Sequence, residues 1–280
     1  RGLCSPAVVV HFHDPELMPV CWLLKVLRGK KVVYDVHEDY TKSILSRHWI
    51  PEKRRKRIAQ IFQKLERWFA RRFDAVITVT EDIDRNFHPT VTTIIKNYPL
   101  PVQHAENMDR NTVKESCAKS GEGNLVYVGA LTRERGIMEI IRAFDYIDPG
   151  LNAVLFLAGT FDEKAYEEEV LASCKEKKVV YLGQLPHEEI AALLETAKIG
   201  LVCLQPVERY KTSLPLKMFE YMAAGIPVVA SDFPLWKEII EDAECGVTVD
   251  PTDPESIGKT VEDLLKKPDL AMKMGRRGRE

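Results

Sequence analysis

Short apolar, β-branched runs alternate with amphipathic stretches from one end of the chain to the other. That alternation predicts an α/β fold on buried parallel sheets, because strands covered on both faces by helices read as nearly continuous hydrophobic runs. Strands are predicted at 7–12, 31–36, 75–80 and 91–96 in the first part. In the second they are predicted at 124–128, 153–158, 179–182, 199–204, 227–230 and 246–249. A helical pattern follows each of the last six, so residues 124 to about 266 are expected to form a complete doubly wound unit. Between the parts, PVQHAENMDRNTVKESCAKSGEG is polar and lacks a sustained apolar period, which marks a linker. The expected division is a Rossmann-like first domain over 1–101, a linker over 102–123 and a second Rossmann-like domain over 124–280. The first strand has no βα unit before it and the helix AMKMGRRGRE stops at the last residue. The chain thus reads as a fragment with an incomplete first domain, and its last helix, from about 269, is expected to cross back towards that domain.

The run SLPLKMFEYMAAGIPVVASD, 213–232, carries the most chemistry. It predicts a helix capped by Ser213, with Pro215 in a first turn whose amide hydrogens lack intrahelical acceptors. Lys217 and Glu220 lie one turn apart, Gly225 stops the helix, and a short strand follows. The helix begins just beyond a parallel strand, where free N–H groups and the positive dipole end favour an anion, typically a phosphate. A cation at a helix start is disfavoured by the same dipole unless an anion is bound, which gives Lys217 a functional reading. The segment is therefore predicted to cradle a nucleotide diphosphate.

The formal net charge of −2 offers no global attraction to nucleic acid or acidic lipid. The six cysteines stand singly, at Cys4, Cys21, Cys117, Cys174, Cys203 and Cys245, and no His pair is read at metal spacing. A reduced, cytoplasmic compartment without structural zinc is expected, with neither a metal nor a cofactor. No apolar stretch approaches the ~18 residues of a membrane span. Residues 53–72, KRRKRIAQIFQKLERWFARR, place Ile58, Ile61, Phe62, Leu65, Trp68 and Phe69 on one helical face, which is expected to pack on the first sheet. Lys53, Arg54, Arg55, Lys56 and Arg57 form a local basic surface that suits peripheral contact with anionic lipid. The cluster is too short and too isolated from aromatics for nucleic-acid binding.

Six segments, VHFHDPEL, YDVHEDY, FDAVITVTE, IIKNYPLP, LVYVGALTRERGI and PLKMFEYMAAGIPVVASD, occur in an order and spacing that resemble glycosyltransferase family 4. The resemblance implies a GT-B fold, two Rossmann-like domains facing a cleft. It also implies transfer of a sugar from a nucleotide-diphosphate donor, held by the second domain, to a saccharide or lipid-linked acceptor, with retained configuration and no metal. The motif variant resembles a subgroup found in surface-polysaccharide pathways. On this resemblance Glu220 binds the ribose diol, and the amides of Leu214 and Leu216 join Lys217 and Arg135 at the diphosphate. The turn GALTRERG, from Gly129, supplies the second diphosphate element, and Arg209 is a candidate extra cation. Gly159 lets the backbone approach the nucleotide. His37, at a strand's C-terminal end, faces the donor sugar and assists transfer, whereas a bland reading has it ordering a loop with Asp35 or Glu38. His13 and Asp14 look like a brace for Glu16, and Asn97 like a turn former. Two departures stand out: Ala130 occupies the family's arginine slot, and Thr212 that of the first of two glutamates. They keep two alternatives open, a sugar-nucleotide epimerase using His37, Asp35 and Glu38, and a non-catalytic nucleotide-sugar-binding domain.

Overall fold

In the computed structural model of the chain, the alternating pattern resolves into two parallel sheets. Described are residues 6–47, 50–88, 92–96, 98, 123–175 and 177–280. The expected linker lies outside them except for Gly123, which opens a strand, and Asn97 lies outside them altogether. The chain divides into one unit of residues 1–97 with 212–214, and another of 98–211 with 215–280.

The N-terminal unit holds strands β1 (Val9–Phe12), β2 (Lys31–Val36), β3 (Ala75–Thr78) and β4 (Thr92–Ile94), adjacent in that order and all parallel. Helices α1 (Met18–Arg28), α2 (Tyr40–Ser46), α3 (Glu52–Ala70) and α4 (Glu81–Arg85) connect them. Its core gathers Phe12, Tyr34 and Phe73 with Val32, Val36 and Val76, and the Phe12 and Tyr34 rings stack at 4.8 Å.

The expected burial of the α3 stripe is only half met. Ala59, Glu66 and Ala70 face inward, and Phe62 and Phe69 pack at the margin of the core. Ile58, Ile61, Leu65 and Trp68 remain 39–51% exposed. The reason is that the inward face accepts small residues and one acid: the Tyr34 hydroxyl donates to Glu66 Oε1 at 2.9 Å, deep in the unit. Burying Glu66 rotates the larger residues outward, which the apolar pattern alone does not reveal.

The C-terminal unit holds β5 (Gly123–Val128), β6 (Ala153–Ala158), β7 (Val179–Gly183), β8 (Ile199–Val202), β9 (Val228–Ser231) and β10 (Gly246–Val249). The order across the sheet is β10-β9-β8-β5-β6-β7, all parallel, so the chain reverses direction between β5 and β8. That is the doubly wound order, whose ligands sit beyond the C-terminal ends of the strands at the reversal. Helices α5 (Ile137–Arg142), α6 (Lys164–Cys174), α7 (His187–Thr196), α8 (Glu208–Lys211), α9 (Leu216–Ala223), α10 (Pro234–Asp242), α11 (Pro254–Lys266) and α12 (Pro268–Arg279) complete the unit. The last helix, α12, packs on α9 and β10 of its own unit. Gly275 permits this approach, because a Cβ there would stand 2.0 Å from the Gly225 carbonyl oxygen.

Candidate functional site

At the sheet reversal, Gly129 follows the end of β5 and α9 packs against that strand. The helix begins later than the sequence suggests: Pro215 is the N-cap, its carbonyl accepts from the Met218 N–H at 3.0 Å, and no side chain caps the turn. Ser213 is therefore not the cap. Pro215 fixes an extended approach, φ −75° and ψ 116°, and the amides of Leu216 and Lys217 at the helix start find no acceptor among the described residues. Ser213 and Leu214 precede the helix and group with the N-terminal unit.

Two tyrosines and a glycine set α9 against β5. The Val128 N–H donates to the Tyr221 hydroxyl at 2.9 Å. Gly200 on β8 leaves the room, since a Cβ there would lie 2.2 Å from the Tyr221 ring. The Tyr127 hydroxyl donates to the Ala130 carbonyl at 2.9 Å and so braces the turn after β5. Gly129 takes φ +126°, and behind it Gly159 takes φ +153°, where a Cβ would strike the Gly129 carbonyl oxygen at 1.9 Å. Gly159 thus serves the packing of one turn against the other.

Lys217 is the side chain this scaffold isolates. Its ammonium lies 3.7 Å from the centre of the Tyr127 ring, and a Cβ on Gly129 would stand 3.0 Å from Nζ. Only 8% of the residue is exposed, and among the described residues Nζ has no hydrogen-bond partner. Burial depresses its pKa well below the ordinary lysine value, the Arg135 charge depresses it further, and Glu220 opposes both. Keeping this amine charged without an acceptor is unfavourable, and an anion seated at Gly129 would offset that cost. Glu220 is half-buried; burial raises its pKa, while His187 and Lys217 pull it down.

Arg135, Lys217 and Glu220 are electrostatically coupled, and the Gly129 turn lies beside the Lys217 ammonium. Arg209 does not join it as a free cation: its guanidinium pairs with Glu134 and the Tyr210 hydroxyl. Arg135 lies 5.0 Å over the Tyr210 ring. Arg133 pairs with Glu169 at 2.6 Å and covers the Tyr166 ring. Tyr127 and Gly200 went unread in the sequence, as did the contact of Tyr221 with β5, because these roles depend on contacts between strands and helices distant in the chain.

In the N-terminal unit, His37 follows β2 and its Nε2 lies 3.3 Å from Asp35 Oδ1 and 2.9 Å from His13 Nδ1. His11 Nε2 lies 2.9 Å from Asp35 Oδ2. His13 therefore faces His37 and Asp35, a grouping that the reading of His13 as a brace for Glu16 did not contain. The signal was the H-x-H spacing at 11–13, which puts both rings on one face of a strand.

The family description "Glycosyl transferases group 1" matches residues 109–280, and "Glycosyl transferase 4-like domain" matches residues 3–91. An uncharacterised glycosyltransferase of Methanocaldococcus jannaschii is 32% identical over 145 residues, 51% of this chain and 36% of its own length. Glycogen synthase of Mycobacterium tuberculosis is 24% identical over 227 residues, 77% of this chain and 51% of its own. The chain thus spans between about a third and about half the length of these relatives. Sucrose-phosphate synthase from Thermosynechococcus elongatus aligns with a TM-score of 0.72 at 20% identity, covering 97% of this chain and 68% of that one. HepE of Anabaena, solved with UDP, aligns with a TM-score of 0.72 at 16% identity over 97% of this chain and 72% of its own. These last likenesses concern the fold. With both units matched, the chain belongs to the group 1 glycosyltransferases.

Proposed function

We propose that the protein transfers a sugar from a nucleoside-diphosphate sugar to a saccharide or lipid-linked acceptor, with retention of configuration. The observation that carries this is the buried Lys217 ammonium at the Gly129 turn, which has no hydrogen-bond partner among the described residues. A diphosphate completes the site, because it supplies acceptors to Nζ and to the free Leu216 and Lys217 amides while offsetting the Lys217–Arg135 repulsion. As the sugar–phosphate bond breaks, charge grows on the leaving diphosphate, and Lys217 and Arg135 stabilise it where a metal ion would otherwise serve. Glu220, held half-dry one turn further along α9, accepts from the two ribose hydroxyls. His37, its ring held by Asp35 and His13, is the candidate for assisting transfer in the N-terminal unit. UDP sugars are the first donors to try, since the Anabaena neighbour was solved with UDP and with UDP-glucose.

The acceptor side has a finer reading, peripheral contact with an anionic membrane surface. It is supported by the exposed Ile58, Ile61, Leu65 and Trp68 beside the basic start of α3. The decisive experiment titrates UDP, GDP and ADP sugars calorimetrically, then follows nucleotide release with and without glycan acceptors. Acceptor-dependent release is expected. Conversion of the donor to an epimer, or binding without turnover, would replace the proposal by one of its alternatives. Glu220→Ala should weaken nucleotide binding by about 1.5 to 3 kcal/mol; an unchanged affinity would displace the ribose site.

A further inference from the structure

We propose that His11, His13 and Asp35 form a site for a divalent first-row transition-metal ion of the Zn²⁺ class, with His37 at its side. The argument starts from the sheet register. β1 and β2 run parallel with Val10 beside Val32, His11 beside Val33 and Phe12 beside Tyr34. Phe12 and Tyr34 turn to the core, so the alternate positions, His11 on β1 with His13 just beyond its end and Asp35 on β2 with His37 just beyond its end, share the opposite face. The C-terminal edge of this sheet thus presents imidazoles and a carboxylate together.

The distances fit a coordination shell. One ligand atom each from His11, His13 and Asp35 lie within 4.8 Å of one another. His11 Nε2 and His13 Nδ1 stand 2.9 and 3.4 Å from Asp35 Oδ2. His37 Nε2 is 3.3 Å from the other carboxylate oxygen and 2.9 Å from His13 Nδ1. With metal–nitrogen bonds of about 2.0–2.1 Å, ligands of a tetrahedral ion stand roughly 3.3 Å apart. The two Asp35 separations bracket that edge and the His11–His13 pair stays within 4.8 Å, so an ion can draw the three ligand atoms together by side-chain adjustment. The donor chemistry selects the metal: imidazole nitrogen with one carboxylate suits Zn²⁺, Co²⁺, Ni²⁺ or Cu²⁺ and discriminates against Ca²⁺ and Mg²⁺, which take oxygen shells. Access and orientation are both provided. The His11 and His13 side chains are 48% and 54% exposed, whereas Asp35 is 12% exposed and anchors the set. An ion here would also fix the His37 ring through its neighbours. The proposal does not depend on the nucleotide reading, because all four residues lie in the N-terminal unit.

The test uses the full chain without an affinity tag, stripped with chelator and titrated with Zn²⁺ by calorimetry. Co²⁺ absorption then reports the coordination geometry. One ion per chain is expected, with visible d–d bands characteristic of nitrogen and oxygen ligands. His13→Ala and the double variant H11A/H13A should each weaken binding at least tenfold with an unchanged circular dichroism spectrum, since these rings are exposed. Ca²⁺ should not compete. Absence of stoichiometric binding, or equal binding by the double variant, would overturn the proposal. A metal-free hydrogen-bond network of His13, His37 and Asp35 would then account for the cluster.

Discussion

Lys217 is an amine that the fold keeps dry and, among the described residues, leaves without a hydrogen-bond partner, and its titration follows from that placement. Its pKa in the free protein is depressed by burial and by Arg135, and a bound diphosphate would raise it again. Between those two values, nucleotide binding takes up a proton, so affinity falls as pH rises through the window. Calorimetry in buffers of different ionisation enthalpy should reveal uptake; proton release or none would contradict the placement of the anion. Lys217→Met separates stability from binding. Removing a buried charge in favour of an apolar side chain should raise the stability of the unliganded protein by roughly 0.5 to 2 kcal/mol. Nucleotide binding should meanwhile weaken by about 1.5 kcal/mol or more. A variant that loses both would place Lys217 in the packing instead. Lys217 and Glu220 were legible in the sequence because both sit on one short helix, where spacing alone fixes their face. His11, His13 and Asp35 were not assembled as a group, because the strands that unite them are joined only by the sheet register.

At the level of elements, α3 shows what an apolar pattern contains and what it omits. The helix was legible over its length, and its boundary at Ala70 follows the end of the pattern. Its orientation was not, because the buried hydrogen bond from Tyr34 draws an acid, Glu66, to the inward face. The outward face carries Ile58, Ile61, Leu65 and Trp68, with the Arg72 guanidinium 3.6 Å over the Trp68 ring. Trp22 of the neighbouring α1 meets Trp68 at 5.6 Å, and Val20, Leu23 and Leu27 of that helix are exposed too. Lys53, Arg54, Lys56 and Arg57 are exposed at the start of α3, while Arg55 is tied to the Ile50 carbonyl at 2.8 Å. Apolar side chains beside a basic turn suit the interface of a bilayer containing anionic lipid. Each basic residue near such a surface is worth about 1 kcal/mol. Changing Lys53, Arg54, Lys56 and Arg57 to Gln should abolish co-sedimentation with phosphatidylglycerol vesicles, and Trp68→Ala should weaken it. Equal sedimentation of these variants, or none by the parent protein, would remove the lipid from the acceptor reading.

For the molecule as a whole, two units with separate cores need not unfold together. Their responses to pH and ligand should differ, because the strongly perturbed Glu66 carboxyl lies in one and the proposed nucleotide site in the other. Burial raises the Glu66 pKa from 4.5 to about 7, with the hydrogen bond from Tyr34 acting the other way. Below pH 4.5 the acid is protonated in both folded and unfolded chains, and the native state keeps its full advantage. As pH rises the unfolded chain loses this proton first, so the folded unit holds more protons and its stability falls through the folded pKa. The span of the shift corresponds to about 3 kcal/mol, lost from the N-terminal unit between mildly acidic and mildly alkaline pH. Glu66→Gln removes the titrating group and should flatten that dependence. Calorimetric scans of the full chain should show the pH-sensitive transition separate from one that UDP raises, since a ligand stabilises what it binds by mass action. If UDP and Glu66→Gln move a single common transition by the same amount, the units unfold as one and their energetic independence fails.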